Sequence, residues 1–254
     1  MVENGKVNSY SISPNSQWVV FLADKDYDQW VELYSVPIDG SSPPVKLNTP
    51  IVPSAILHLV SGFEISPDSE MVLFYMEKDG NQIELYNADI EGGTPRLHAA
   101  LDPAAQGEIF EARFTPDSLY VVYRIRLDDI SPKTLYSVPI AGGFGDELTP
   151  MAWDRSGVSN FKISGDGSTV VYSADKLNGD AVELYSVSTS GGTSTRINPA
   201  FPNGRSIRSF EITPNSLGVV YTADQETVSK VELYSAPISG GGTFYKLNQA
   251  ITAV

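Results

Sequence analysis

The chain has 254 residues, no cysteine and two histidines, with 17 basic against 31 acidic side chains and a formal net charge of −14. That balance disfavours nucleic-acid backbones as partners, and the missing thiols exclude disulfides, a cysteine nucleophile and cysteine-ligated metals. An apolar share of 41% is globular; no run approaches the ~20 apolar residues of a membrane span, and no basic start followed by an apolar stretch marks a signal peptide.

The first predicted element, from Val7, is a short alternating strand (strand a) closed by a turn at Pro14-Asn15-Ser16. Proline presets φ there, and Asn or Asp bonds its own backbone. Strand b follows as the β-branched and aromatic run Trp18-Val19-Val20-Phe21. A polar hairpin leads to strand c at Glu32-Leu33-Tyr34, and a turn leads to strand d, ending at Leu47-Asn48. The same order then recurs. Strand a restarts at Val60, Ile109, Val158 and Ile207. The turn proline sits at Pro14, Pro67, Pro116 and Pro214, with Gly165 in the fourth copy, at intervals of 53, 49, 49 and 49 residues. Strand c carries Tyr34, Tyr86, Tyr136, Tyr185 and Tyr234, read as packing residues. A connection of about ten residues returns to the next strand a, and no segment shows a sustained helical period.

Four antiparallel strands in each repeat of this length form the blade of a β-propeller. One four-stranded sheet has two apolar faces, and packing blades side by side buries both. The fold class expected is all-β: a five-bladed β-propeller of four-stranded antiparallel blades, each from contiguous sequence. The blades span approximately 7–49, 60–99, 109–149, 158–199 and 207–249, in a single domain over 1–254. The ring is expected to close by packing the first blade on the fifth; otherwise the chain belongs to a larger array or self-associates.

Ser66-Pro67-Asp68-Ser69, then Val219 to Asp224, Glu232 to Ile238 and Leu247-Asn248, give a motif that resembles the TolB-like propeller repeat of bacterial proteins, related to WD repeats. The resemblance covers all five copies. It implies a non-catalytic binding scaffold of the cell envelope or of exported proteins. The third copy departs from the motif at Arg126, Lys133 and Thr134, and the fourth at Gly165 and Gly167, which puts the uniformity of the hairpins in question.

Candidate sites follow from this layout. One rim, bearing the b–c hairpins, is rich in acids: Asp24, Asp26, Asp28, Glu77, Asp79, Asp128, Asp129, Asp175, Asp180, Asp224 and Glu226. They read mainly as solvated hairpin tips. The candidate ligand-binding set on that rim is Asp26, Tyr27, Trp30, Asp79, Asp128, Trp153, Asp180 and Glu226, suited to a protein or glycan partner. Asp24, Asp26 and Asp28 alternate as oxygen ligands of calcium would, although the glycine of a full calcium loop is missing; no other cofactor is expected. On strand a, Ser11, Glu64, Arg113, Lys162 and Glu211 are expected to line the channel, with Glu64 pairing Arg113 and Lys162 pairing Glu211.

Catalysis is the rival reading: a glycoside-hydrolase-like site with an axial carboxylate pair drawn from Glu64, Glu111 and Glu211. The basic partners would neutralise that pair. His58 lies in an apolar stretch and reads as packed. His98 stands where other copies have Asn48, Asn198 and Asn248, so it reads as a turn residue. The sequence therefore points to a non-catalytic binding or scaffold module. A purely architectural or engineered repeat is the third reading, and the compartment is left open.

Overall fold

A computed structural model describes residues 5–26, 30–49, 59–78, 82–101, 107–143, 145–149, 153–176, 181–202, 204–241 and 243–248. No helix occurs among them; they form twenty strands in five four-stranded sheets, each in sequence order. The first blade holds β1 (Val7–Ile12), β2 (Trp18–Ala23), β3 (Glu32–Pro37) and β4 (Val45–Lys46). The second holds β5 (Leu59–Ile65), β6 (Met71–Lys78), β7 (Gln82–Asp89) and β8 (Arg96–Ala100). The third holds β9 (Glu108–Phe114), β10 (Tyr120–Arg126), β11 (Thr134–Pro139) and β12 (Asp146–Glu147). The fourth holds β13 (Trp153–Ile163), β14 (Thr169–Lys176), β15 (Val182–Ser188) and β16 (Thr195–Arg196). The fifth holds β17 (Ile207–Ile212), β18 (Gly218–Ala223), β19 (Glu232–Pro237) and β20 (Tyr245–Lys246). This is the blade architecture of a five-bladed propeller, each blade drawn from its own stretch of chain.

Two compact units share these strands. One comprises Met1–Val121, Leu127–Asp129 and Val138–Phe144; the other comprises Val122–Arg126, Ile130–Ser137 and Gly145–Val254. In the first unit, Val20, Leu33 and Leu47 of blade one pack on Val60, Phe74 and Ile90 of blade two. In the second, Val171, Leu184 and Ile197 of blade four pack on Ile207, Phe210 and Tyr221 of blade five. Val122, Leu135 and Leu148 pack on Val158, Phe161 and Tyr172 in the same way. Strand b is buried on both faces, as Val170, Val171 and Tyr172 show, which explains its unbroken apolar run. Within each blade the strand-c tyrosine stacks on a strand-b ring at 5.5–5.6 Å: Phe21–Tyr34, Phe74–Tyr86, Tyr123–Tyr136, Tyr172–Tyr185 and Tyr221–Tyr234.

The a–b turn repeats atom for atom. The hydroxyl of Ser13, Ser66, Thr115, Ser164 or Thr213 donates to the carboxylate or amide oxygen two residues on, at 2.5–2.7 Å. The hydroxyl oxygen itself accepts the N–H of the residue five further on, at 2.9–3.0 Å. Ser16, Ser69, Ser118 and Ser216 then take φ of 57° to 68°, and Gly167 takes 77°. The glycine of the fourth copy thus fits a left-handed position the other copies fill with serine. Those serines also tie blade to blade: Asn15 N donates to Ser69 Oγ, Asp68 N to Ser118 Oγ and Asp166 N to Ser216 Oγ, at 3.0–3.2 Å.

Two blade edges differ from the sequence reading. The fourth strand a starts at Trp153 instead of Val158, because the chain pairs Trp153 with Lys176 before a bulge at Gly157 and Val158 restores the common register. In the second blade strand d continues through His98 to Ala100, pairing Glu84 with Ala100 across a bulge. His98 is therefore a strand residue and not a turn residue.

Candidate functional site

Strand c begins with a buried carboxylate in four blades. Tyr34 Oη donates to Glu32 Oε2 at 2.9 Å, Tyr86 to Glu84 at 2.5 Å, Tyr185 to Glu183 at 2.7 Å and Tyr234 to Glu232 at 3.2 Å. A cation on strand d reaches the same carboxylate in three of them. Lys46 Nζ lies 2.6 Å from Glu32, Arg196 3.7 Å from Glu183, and Lys246 2.8 Å from Glu232. In blade three Thr134 replaces the glutamate, and Glu147 replaces the cation opposite Tyr136. Acid and base are lost together there, whereas blade two keeps the buried Glu84 with Leu97 at the strand-d position; the tyrosine hydroxyl is the partner all four carboxylates share.

Those cations also change the reading of the acidic rim. Lys46 holds Asp26 at 2.7 Å and Lys246 holds Glu226 at 2.8 Å. The hydrogen bond from Lys46 keeps Asp26 below its usual range. Asp24, Asp175 and Asp224 are buried and not solvated tips. Asp24 Oδ1 accepts Lys6 N at 2.6 Å, and Asp224 Oδ1 accepts Ser206 N at 2.7 Å, so each clamps the chain as it enters strand a. Burial alone would raise Asp224; the N–H groups of Ser206 and Ser229 and the Arg208 guanidinium outweigh it and hold the carboxyl below its usual range.

Asp24 and Asp26 are engaged with Lys6 N and Lys46, Asp28 lies outside the described residues, and no cluster of three metal-ligating side chains occurs among the described residues. Tyr27, Asp79, Asp180 and His58 also lie outside them, and the side chain of Trp153 is not described. Trp30 is half-buried and packs against the core of blades one and two. Asp128 is half-buried near the same hairpin position in blade three.

On strand a, Lys162 Nζ meets Glu211 at 2.5 Å, and Arg113 lies 3.7 Å from Glu64 and 3.3 Å from Glu111. Ser11 is exposed on β1. Burial raises the Glu64 carboxyl, opposed by Arg113. An acid–base pair for glycoside cleavage needs one neutral and one ionised carboxyl facing open space; here an arginine sits between the two candidates. Burial, and secondarily Arg96, pushes His98 down to about 4, so it is neutral at physiological pH.

A polar cleft lies at the other end of the blades. It encloses about 410 Å³ and is lined by Asn15, Gln17, Trp18, Asp68, Ser69, Glu70, Asp89, Ile90 and Glu91, all in the first unit. The a–b turns of blades one and two and the c–d turn of blade two form its walls. Asp68 and Asp89 each cap their own turn, at Glu70 N and Glu91 N. Sequence reasoning missed this cleft because it looked for chemistry in the variable hairpins. The usable signal was the acid following each second-blade turn, at Glu70 and Glu91.

The Glu232 cluster gives a pH prediction. The hydrogen bond from Lys246 comes first among the causes that lower Glu232 from 4.5 to about 2. A depressed carboxyl stabilises the fold above its unfolded value and loses that contribution as pH falls through the folded one. Thermal melts should therefore show wild type losing stability more steeply than Glu232→Gln between about pH 4.5 and pH 2. Parallel curves for the two proteins would mean that the cluster adds nothing to folding.

No family model matches the chain, and no curated protein matches it. Solved structures do. The chain is similar to TolB from Agrobacterium tumefaciens, with TM-score 0.50 and 18% identity over 96% of this chain and 80% of that one. It is similar to dipeptidyl peptidase 4 of Porphyromonas gingivalis, with TM-score 0.68 and 14% identity over 98% of this chain and 40% of that one. It is also similar to oligogalacturonate lyase from Vibrio parahaemolyticus, with TM-score 0.52 and 16% identity over 92% and 69%. These likenesses show the propeller fold expected from the repeat. The same fold occurs in enzymes and in TolB.

Proposed function

We propose that the chain is a non-catalytic binding propeller whose partner is a protein presenting a basic segment to the cleft between blades one and two. The observation that carries this reading is the lining: four carboxylates, at Asp68, Glu70, Asp89 and Glu91, with the Trp18 side chain beside them. Such a pocket favours a cation next to an apolar contact, and the chain's net charge of −14 adds long-range attraction. The hairpin carboxylates Asp26 and Glu226 and the strand-a carboxylates Glu64 and Glu111 support catalysis less well, because Lys46, Lys246 and Arg113 respectively engage them.

Calorimetric titration with a lysine- and arginine-rich peptide tests the proposal, with an acidic peptide and a neutral oligosaccharide as comparisons. Binding of the basic peptide alone is expected, weakened by salt and reduced at least tenfold in Glu70→Gln/Glu91→Gln, a change of about 1.4 kcal/mol. Equal binding by the double variant, or preference for the oligosaccharide, would refute the assignment.

A further inference from the structure

Strand d is one edge of every sheet, with no further strand paired to it among the described residues. An edge leaves N–H and C=O groups open to another chain, and natural sheets defend it with short strands, charges and proline. Four of the five strand-d edges carry that defence. β4, β12, β16 and β20 are each two residues long. Opposite the strand-c tyrosine each bears a charged residue: Lys46, Glu147, Arg196 or Lys246.

Blade two lacks both devices. β8 runs for five residues, Arg96–Ala100, with no lysine or proline in it. Leu97 stands opposite Tyr86, where the other blades place the charge, and is 53% exposed. The bulge at His98 interrupts the pairing without ending the strand, since Ala99 and Ala100 then pair with Leu85 and Glu84. Alternate residues of an antiparallel edge aim their backbone groups away from the sheet. A strand of this length can therefore hold an added strand by more than one hydrogen bond, which a two-residue strand cannot.

The two faces of β8 differ. Arg96 pairs with Asn87, whose Nδ2 donates to Ile140 O of blade three at 3.0 Å, and a Cβ at Gly142 would lie 3.6 Å from Arg96 Cδ. Arg96 therefore lies toward blade three. Leu97 shares its face with Tyr86, directly opposite it, and Tyr86 belongs to the core between blades one and two. That is the side of the polar cleft, whose wall residues Asp89, Ile90 and Glu91 belong to the turn that leads into β8. Carboxylates, an open edge and an apolar contact thus follow one another along a single blade.

We propose that β8 is a docking edge whose occupant is an extended segment of the protein partner. The segment adds to blade two as a fifth strand, with an apolar side chain on Leu97 and a basic one directed to Asp89 and Glu91. Strand addition supplies affinity through main-chain hydrogen bonds and selectivity through alternate side chains. The choice of a basic occupant rests on the reading of the cleft as a site for a basic segment, and on the net charge of −14. A second copy of so acidic a chain would be repelled.

The test titrates the intact chain with a peptide of about eight residues that alternates lysine and valine, long enough to cover β8. A copy methylated on its backbone nitrogens keeps every charge but donates no main-chain hydrogen bonds. That copy should bind roughly tenfold more weakly, the effect of about two lost hydrogen bonds. The neutral variant Leu97→Asn should weaken the unmethylated peptide too; Leu97 is exposed, so the variant is expected to fold, with circular dichroism as the check. Hydrogen exchange should show the β8 amides of wild type slowed by the peptide. Equal binding of the two peptides, an unaffected Leu97→Asn, or β8 exchange unchanged by peptide overturns the docking edge; the cleft reading then survives if Glu70→Gln/Glu91→Gln still weakens binding. If that double variant binds normally while methylation and Leu97→Asn both weaken binding, the edge stands and the cleft reading fails. No binding of either peptide ends both. Assembly of wild type beyond one chain's mass, lost in Leu97→Asn, would make a second copy the occupant and overturn the proposal as well.

Discussion

Phe210→Ala is expected to destabilise the protein by about 3–5 kcal/mol, whereas Tyr10→Ala, measured where the chain is monomeric, should stay within about 0.5 kcal/mol. Both residues sit at the same register position of strand a, opposite Tyr221 and Phe21 respectively. Their surroundings decide the difference. Phe210 is buried in a cluster with Val171, Leu184, Ile197 and Tyr221, so truncation leaves a cavity walled by two packed sheets. Tyr10 is 71% exposed, so its truncation leaves none. For a chain of this size the Phe210 change should lower Tm by about 6–20 °C. Equal effects at the two sites would mean that the burial of Phe210 adds nothing to what its register position shares with Tyr10.

The repeat made the strands legible because a propeller blade repeats its turns, and turns leave sharp signals. Pro67-Asp68-Ser69 announces its hydrogen bonds in its residue types, and even Gly165-Asp166-Gly167 keeps them, since Asp166 still bonds Ser164 and Ser168. The predicted partners Lys162 and Glu211 meet because equivalent positions on adjacent strands a are neighbours. The rim was less legible. Asp24 and Asp26 are two residues apart in one hairpin, yet one turns inward to cap Lys6 N and the other meets Lys46, twenty residues on. Alternation in sequence carries no information about which side a hairpin acid faces. The sequence does hold a partial pattern: Glu32, Glu183 and Glu232 accompany Lys46, Arg196 and Lys246, and Thr134 accompanies Glu147, but Glu84 stands with Leu97. The cleft at Trp18 and Glu70 was hidden for a different reason. It is assembled from turns that repeat in every copy, so nothing in their spacing marks one pair of blades.

Gly157→Ala should be the most damaging glycine-to-alanine change among the described residues, and the reason is backbone and not side-chain packing. Gly157 takes φ of +55°, at the bulge where the long first strand of blade four rejoins the common register. A Cβ there would overlap the Lys133 carbonyl and lie 2.5 Å from the Lys133 nitrogen. Neither group is the tip of a flexible side chain, and the carbonyl is already committed as the acceptor for Val158 N at 2.8 Å. Relieving the overlap therefore breaks that hydrogen bond or shifts the whole entry of β13. The left-handed φ adds roughly 1–2 kcal/mol, and overpacking against rigid backbone adds about 1–3 kcal/mol. The sum is about 2–5 kcal/mol, or a Tm lowered by about 4–20 °C. Gly40→Ala is the matched comparison: φ is +69° but the Cβ enters open space, so only the conformational part should remain. Equal melting temperatures for the two variants would show that β13 can re-register at no cost, and that the Lys133 contact does not fix where blade four begins.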